Sequence, residues 1–138
     1  MVFGTFDVLH PGHLDFLAQA RALGDFLIVS VSRDSNASKF KKHKPVFTEK
    51  ERLELIQSLD MVDKAVLGSE KEYLSHVLAE KPDIIALGYD QIAYAKELGR
   101  DIKSGKIQAK VVRLKSYRPD KYKSSKIKEK IREAYFKE

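Results

Sequence analysis

Apolar runs of strand length alternate with longer amphipathic stretches along the whole chain. The runs predict β-strands over residues 1–5, 26–31, 62–67, 83–88 and 109–114. The stretches between and after them predict helices over about 13–23, from 48, over 69–81, about 91–103 and about 124–136. Strict alternation of this kind is typical of a parallel sheet with helices on both faces. The sequence therefore predicts a single α/β domain over residues 1–138, Rossmann-like, with five parallel strands.

Two capping signals support the helix boundaries. Residues 48–51 (T-E-K-E) and 69–72 (S-E-K-E) have the pattern of a capping box, in which side chains at both ends bond the free N–H groups of a helix start. Residues 33–47, which lie between the second strand and the first of these capping signals, are predicted as a basic loop. Ligands of parallel sheets bind beyond the carboxyl ends of the strands. We therefore expect a site where loops 5–13, 33–47 and 88–92 meet the loop before the last helix.

Two histidines flank a Pro-Gly pair at the first strand-to-helix junction, where the sequence reads V-F-G-T-F-D-V-L-H-P-G-H. Gly4 permits a backbone turn, and Pro11 suits a helix start because it has no N–H to leave unpaired. Gly12 lets an anion or a base approach the main chain. His10 and His13 project from neighbouring positions of the first turn. Since a helix N-terminus already attracts phosphate, the pair predicts an anion clamp.

Composition narrows the class of protein. The 138 residues contain no cysteine, which excludes disulfides, thiolate metal sites and a cysteine nucleophile. No apolar run reaches the length of a membrane span, and the N-terminus lacks the layout of a signal peptide. A cytoplasmic protein without a membrane partner is therefore expected. The net charge of +6 fits phosphate-rich small substrates, nucleic acid, or the Lys/Glu-rich surface of a thermophile protein. Aromatic residues do not interleave with the basic ones, which disfavours nucleic acid.

Groups that could bind a triphosphate lie in the expected loops. The four lysines of residues 39–44 can reach the β and γ phosphates, with Lys44 and Lys41 as the first candidates. Ser124 and Ser125 predict a second anion site at the start of the last helix, and either can also cap that helix. No protein nucleophile is needed, because nucleotidyl transfer depends on positioning and charge neutralisation.

The segment that ends in H-P-G-H resembles the first signature of the nucleotidyltransferase superfamily, which includes cytidylyltransferases and pantetheine-phosphate adenylyltransferases. The K-S-S-K run at residues 123–126 resembles the second signature, which contacts the β and γ phosphates. The twelve residues from Arg52 to Asp63 are similar to a further family pattern.

Together with the loop positions, this resemblance implies catalytic roles for His10, His13, Lys44 and Arg52, with Arg52 directed toward a substrate phosphate. It implies that Asp7 orients the acceptor or holds a metal. The residues expected to bind the nucleotide are Thr5, Phe6, His10, Pro11, Gly12, His13, Asp90, Tyr117, Ser124 and Ser125.

Nearly the whole chain, residues 2–132, is similar to two neighbouring groups, the glycerol-3-phosphate cytidylyltransferases and the archaeal FAD synthases. Three runs favour the second group: H-P-G-H, K-P-D-I-I-A-L-G-Y-D-Q, and Y-K-S-S-K-I where cytidylyltransferases carry R-T-x-G-I-S-T. The resemblance implies transfer of AMP from ATP to FMN, giving FAD and pyrophosphate. It also implies a divalent cation, Mg²⁺, held mainly by the phosphates, with no protein metal ligand assigned.

Two further hypotheses remain open from the sequence. CTP-dependent transfer to glycerol 3-phosphate is the alternative reaction. A non-catalytic, basic nucleic-acid-binding module belongs to another class, and the retained H-P-G-H and S-S-K runs argue against it. The family resemblance also implies a homodimer with small-molecule substrates, ATP and FMN, and no nucleic-acid partner.

Overall fold

The computed structural model describes residues 1–40, 44–70, 73–92 and 95–136, without the side chains of residues 39 and 40. The strands are β1 (Val2–Gly4), β2 (Ile28–Val31), β3 (Lys64–Leu67), β4 (Ile84–Leu87) and β5 (Lys110–Arg113). The helices are α1 (Pro11–Arg21), α2 (Asp34–Phe40), α3 (Glu49–Gln57), α4 (Tyr73–Glu80), α5 (Ala95–Lys103) and α6 (Ser124–Phe136). Within this part of the chain, no helix is long and apolar enough to cross a membrane.

All strand pairings are parallel, in groups ordered β1-β2-β3 and β4-β5. Main-chain hydrogen bonds bring the two groups side by side at β1 and β4. The amino group of Met1 donates to the carbonyl oxygen of Ile84 at 2.8 Å, and the N–H of Ala86 donates to the carbonyl oxygen of Met1 at 3.0 Å. The strand order across the sheet is therefore β3-β2-β1-β4-β5. Successive strands are added on one side of β1 and then, from β4 onward, on its other side, and the switch point between the two is where such folds bind ligands. The predicted α/β class is confirmed, with its five strands arranged as three plus two.

Helices cover both faces of the sheet. On one face, side chains of α1 and α3 pack with inward residues of β1 and β2: Leu17, Ala20, Ile56, Val2, Val29 and Val31. On the other face, side chains of α4 and α5 pack with β4: Val77, Leu98, Ile85 and Leu87. Ala86 belongs to the first cluster and its two neighbours in β4 to the second, as strand alternation requires. The predicted arrangement of helices on both faces is confirmed.

The main difference from the predicted elements is a helix inside the basic loop of residues 33–47. The N–H of Asp34 donates to Oε1 of Glu49 at 3.0 Å, and the N–H of Glu49 donates to Oδ2 of Asp34 at 3.2 Å. The starts of α2 and α3 therefore stabilise each other across the loop. A contact between residues that far apart leaves no periodic signal, so the sequence pattern could not show α2.

The first capping box is confirmed. Oγ1 of Thr48 accepts from the N–H of Glu51 at 3.2 Å, and Oε1 of Glu51 accepts from the N–H of Thr48 at 2.9 Å. The second, over residues 69–72, includes two positions that lie outside the described residues.

Candidate active site

Histidine side chains cap the N-terminus of α1. His10 is the N-cap residue, and its Nδ1 accepts the N–H of Gly12 at 3.1 Å. The N–H of His10 donates in turn to Nδ1 of His13 at 3.3 Å. Pro11 follows as the first helical residue. The two histidines thus form a capping box in the positions that Ser or Thr and Glu or Gln usually occupy.

These two bonds fix the tautomer of each neutral ring. Because Nδ1 accepts a hydrogen bond, the ring proton lies on Nε2, which becomes a donor. Burial lowers the pKa of His10, so this imidazole is neutral at neutral pH. The rings of His10 and His13 stack with centroids 3.7 Å apart. The predicted anion clamp therefore offers, at His10, a neutral N–H donor rather than a positive charge.

Phe6 lies beneath the histidine pair. It is 4% exposed, and its ring meets the ring of His13 edge-on at 5.6 Å and that of Phe16 at 6.2 Å between centroids. The Phe6 side chain, which the resemblance implied would bind the nucleotide, thus supports the ring of His13 from the core. Thr5 accepts a hydrogen bond from Oγ of Ser32 at 3.0 Å.

Gly12 makes room for two rings. A Cβ atom at this position would lie 2.8 Å from Cε1 of His10 and 3.0 Å from Cβ of Tyr122. The rings of Tyr122 and His10 are nearly parallel, at 14°, with centroids 6.2 Å apart. The absence of a side chain at Gly12 thus lets the loop before α6 pack against the histidine pair, a packing reason that the sequence did not reveal.

Asp7 is the buried carboxylate at which the loops meet. Its oxygens accept from the N–H of Val46 at 2.8 Å, the N–H of Phe47 at 3.1 Å and Nζ of Lys128 at 2.6 Å. Its carbonyl oxygen accepts from Oγ of Ser124 at 2.6 Å. Burial alone would raise the pKa of Asp7, but the hydrogen bonds from Lys128 and the two N–H groups outweigh it and hold that pKa below its usual range. The ionised carboxylate thus joins the β1 loop, the segment before α3, and α6.

The backbone on either side of Asp7 is strained. Phe6 has a φ of 54° and Val8 a φ of 51°. Left-handed angles are unfavourable for residues other than glycine, and most of all for a β-branched residue such as Val8. Such a conformation persists only where surrounding contacts impose it. The bonds of Asp7 to two other segments, the one before α3 and α6, are those contacts.

Arg52 is a fully buried cation below the same loop. Its guanidinium donates to the carbonyl oxygen of Phe47 at 3.1 Å, the carbonyl oxygen of Thr5 at 2.7 Å and Oδ1 of Asp34 at 2.7 Å. The side chain is 0% exposed, so its donors face protein oxygens. The sequence implied a contact with substrate phosphate, whereas the structure gives Arg52 the position of a residue that holds the β1 loop against α2 and α3.

Four other predicted residues are exposed to solvent. Lys44 is exposed and comes two residues before the segment that Asp7 holds. Asp90 is exposed directly after β4, Ser125 is exposed in the first turn of α6, and Tyr117 is exposed in the loop after β5. Of the remaining candidate lysines, Lys41, Lys42 and the side chain of Lys39 lie outside what the structure describes.

Three residues that sequence reasoning missed help to build the site. Tyr122 packs on His10, and Lys128 pairs with Asp7. The side chain of Gln91 accepts from the N–H of Gly88 and donates to the carbonyl oxygen of Phe3, both at 2.8 Å. A signal existed for Lys128, which lies one helical turn after Ser124 on the same face of α6. None existed for Gln91, because its partners are main-chain atoms.

The carboxylates of the described residues do not form a metal cage. Among these residues, no three histidine or acidic side chains lie close enough together to hold a metal ion. Asp7, which the resemblance implied could hold one, has both oxygens engaged by Lys128 and by two main-chain N–H groups. The side chains present therefore do not fit a resident metal at Asp7.

A parallel sheet whose switch point lies beside a histidine-capped helix defines a nucleotide-binding class of α/β protein. Comparison with known families agrees. The family model described as cytidylyltransferase-like matches residues 1–130, and the chain belongs to that family.

Individual relatives are more specific. The chain is 52% identical over 111 residues to the FAD synthase of Methanosarcina barkeri, covering 80% of this chain and 78% of the relative. It is 47% identical over 134 residues to the FAD synthase of Methanothrix thermoacetophila, covering 95% and 91%. Among solved structures, the lipopolysaccharide core biosynthesis protein from Thermoplasma volcanium matches with a TM-score of 0.79 and 44% identity, covering 85% of this chain and 95% of that one. The resemblance to archaeal FAD synthases is thereby confirmed.

Gly12→Ala is expected to lower kcat by about ten- to a hundredfold without unfolding the domain. The new Cβ would displace the ring of His10 or the backbone at Tyr122, and small misplacements of reacting groups have effects of this size. Steady-state kinetics and thermal unfolding check it. Gly99→Ala is the matched control, because a Cβ in the middle of α5 meets nothing within 4 Å. Turnover at the parental rate in Gly12→Ala would contradict the packing role.

Arg52→Ala is expected to lower the free energy of unfolding by about 3 kcal/mol, since it leaves buried acceptors without a donor. Arg52→Lys should recover only part of the loss, because an ammonium cannot serve three acceptors in the guanidinium geometry. Urea unfolding measures both. Arg21→Ala, which removes a half-exposed pair with Asp63, should cost less than about 1 kcal/mol. If Arg52→Ala keeps the parental stability but loses ATP affinity, the phosphate role implied by the sequence is correct.

Proposed function

We propose that this chain transfers AMP from ATP to FMN, giving FAD and pyrophosphate. Its relatives named FAD synthase are about half identical to it over most of its length. The observation that carries the proposal is the histidine pair at the N-terminus of α1, which offers Nε2–H of His10 beside the helix N-terminus. This combination suits an α-phosphoryl group on which negative charge grows during transfer.

The reaction needs no covalent intermediate. A phosphate oxygen of FMN forms a bond to the α-phosphorus of ATP, in line with the bond that breaks. The bond from the α-phosphorus to the oxygen bridging to the β-phosphorus is cleaved, and its electron pair leaves with pyrophosphate. His10 and His13 donate hydrogen bonds to the α-phosphoryl oxygens, and a donor aimed at developing charge is worth more in the transition state than in the ground state.

Two groups are proposed to serve the leaving pyrophosphate. Lys44 is exposed at the segment fixed by Asp7, from which a lysine can reach the β and γ phosphates. The N-terminus of α6, with Ser125 exposed in its first turn, supplies N–H groups on the other side. Ser124 uses its hydroxyl proton on the carbonyl of Asp7, so its contribution is to fix the position of α6.

A divalent cation enters this proposal as part of the substrate. The engaged oxygens of Asp7 leave phosphate oxygens as the natural ligands of Mg²⁺, which favours few protein carboxylates where phosphates are available. ATP is therefore proposed to bind as its magnesium complex.

Adenine is proposed to bind near Asp90. This carboxylate is exposed at the carboxyl end of β4, where it can accept from the exocyclic amine of adenine. The segment before α6 lacks the R-T-x-G run that cytidylyltransferases carry, which supports ATP over CTP. CTP-dependent transfer to glycerol 3-phosphate remains the alternative.

The quaternary state stays a prediction. The resemblance implies a homodimer, and α6 exposes Ile131, Tyr135 and Phe136. Sedimentation velocity of the parent and of an Ile131→Lys variant tests whether this apolar face joins two copies. No nucleic-acid partner is proposed.

His10→Ala and His13→Ala are each expected to reduce kcat by at least about a hundredfold, the effect of losing one donor to the transition state. His10→Asn should fold better than His10→Ala, because Asn keeps an N-cap acceptor, yet remain as slow. The rate of pyrophosphate release measures all three variants. His76→Gln is the control, since His76 is a half-buried residue of α4 that hydrogen-bonds Ser30. Parental kcat in a folded His10 or His13 variant would contradict the proposed chemistry.

ATP with FMN is expected to be the best of four substrate pairs by at least about a hundredfold in kcat/KM, a discrimination that a site with hydrogen-bonding groups for one base can reach. The assay crosses ATP or CTP with FMN or glycerol 3-phosphate and measures pyrophosphate, with chromatography to identify FAD. If CTP with glycerol 3-phosphate proves the better pair, the alternative reaction is correct.

A further inference from the structure

Four aromatic side chains form a stacked series that begins at the N-terminus of α1. The ring of His13 stacks on that of His10, and Tyr122 lies nearly parallel to His10. Tyr117 in turn lies parallel to Tyr122, with an interplanar angle of 4° and centroids 5.9 Å apart. Distances and angles of this kind are those of offset aromatic stacking. The series begins at the proposed phosphate site and ends at Tyr117, which is 41% exposed.

The loop that carries the two tyrosines is held in place by hydrogen bonds to its main-chain atoms. The side-chain amide of Gln19 donates to the carbonyl oxygen of Lys115 at 2.9 Å and accepts from its N–H at 3.0 Å. Farther along, the N–H groups of Lys121 and Tyr122 both donate to the carbonyl oxygen of Arg118, at 3.0 and 2.8 Å. The loop is therefore fixed to α1 at its start and closed by a turn before α6, so its outer ring is ordered before any ligand binds.

We infer that Tyr117 is the stacking platform for the isoalloxazine ring of FMN; this inference rests on the proposed function. FMN carries a flat ring at one end and a phosphate at the other, joined by a five-carbon ribityl chain. The ring series has the same order, with the outermost exposed ring at one end and the histidine pair at the other. Stacking on an aromatic side chain that is already ordered costs little entropy.

The charge of the loop favours stacking of isoalloxazine, rather than adenine, on Tyr117. The loop of Tyr117 carries three exposed cationic side chains, at Lys115, Arg118 and Lys121, against one exposed acid, Asp120, and Nζ of Lys121 lies 5.3 Å from the ring centroid of Tyr122. The outer ring of isoalloxazine presents two carbonyl oxygens, which accept from such groups. Adenine presents an amine, which matches Asp90 on the loop after β4. The flavin therefore fits Tyr117, and this loop would set the specificity for the acceptor.

Flavin fluorescence tests the inference without turnover. Tyrosine in stacking contact quenches flavin emission by electron transfer, so titration of FMN with the parent protein should quench it strongly. Tyr117→Ala should raise the Kd for FMN about tenfold and remove most of the quenching at saturation. Tyr117→Phe should keep the Kd within about twofold while still reducing the quenching, since phenylalanine stacks but is a poor electron donor.

Two measurements separate this inference from the proposed function. Tyr135→Ala on the exposed end of α6 is the matched control and should change neither quantity. If the parent forms FAD but Tyr117→Ala leaves the Kd for FMN and the quenching unchanged, the platform is wrong; a raised KM for ATP alone would return Tyr117 to the nucleotide. If the parent neither binds FMN nor forms FAD, the proposed function itself fails.

Discussion

A single buried carboxylate organises the site. Asp7 receives two main-chain N–H groups from the segment before α3 and an ammonium from α6, while its carbonyl receives a hydroxyl from the same helix. A carboxylate taken out of water must be paired and hydrogen-bonded, or it destabilises the protein. The two segments that satisfy Asp7 are therefore obliged to meet the β1 loop at one point, and the strained backbone of that loop is held by this requirement.

Arg52 is the buried cation that fixes the same loop. It satisfies carbonyl oxygens in the β1 loop and before α3, and its charge is balanced by Asp34 at the start of α2. The β1 loop is thus held both by the bonds of the Asp7 carboxylate and by the bond from the Arg52 guanidinium to the carbonyl oxygen of Thr5. The histidine rings that follow can then depend on stacking and main-chain bonds for their orientation, and the neutral state of His10 keeps two adjacent rings from repelling each other.

The sequence predicted what depends on local pattern. Strand and helix alternation, the capping box at Thr48 and the place of the histidine pair at the start of α1 were all visible in it, because each arises from neighbours in the chain. Contacts between distant segments were not visible. The start of helix α2 is bonded by Glu49, and a Cβ at Gly12 would collide with Tyr122. The place of Arg52 in the core depends on main-chain carbonyl groups, which no side-chain pattern records. Family resemblance named Arg52 as important and directed it toward a substrate phosphate, whereas the atoms it contacts are oxygens of the protein.

The last helix, α6, is held to the rest of the fold by polar contacts rather than by apolar burial. None of the residues of α6 is fully buried, and its first turns are held by the hydroxyl of Ser124 and the ion pair of Lys128 with Asp7. Apolar burial is the source of the large heat capacity of unfolding. Release of α6 is therefore a local opening with little change in heat capacity, although it leaves the carboxylate of Asp7 without its ammonium partner. It would appear first as fast amide exchange along the helix, while the sheet beneath it stays protected.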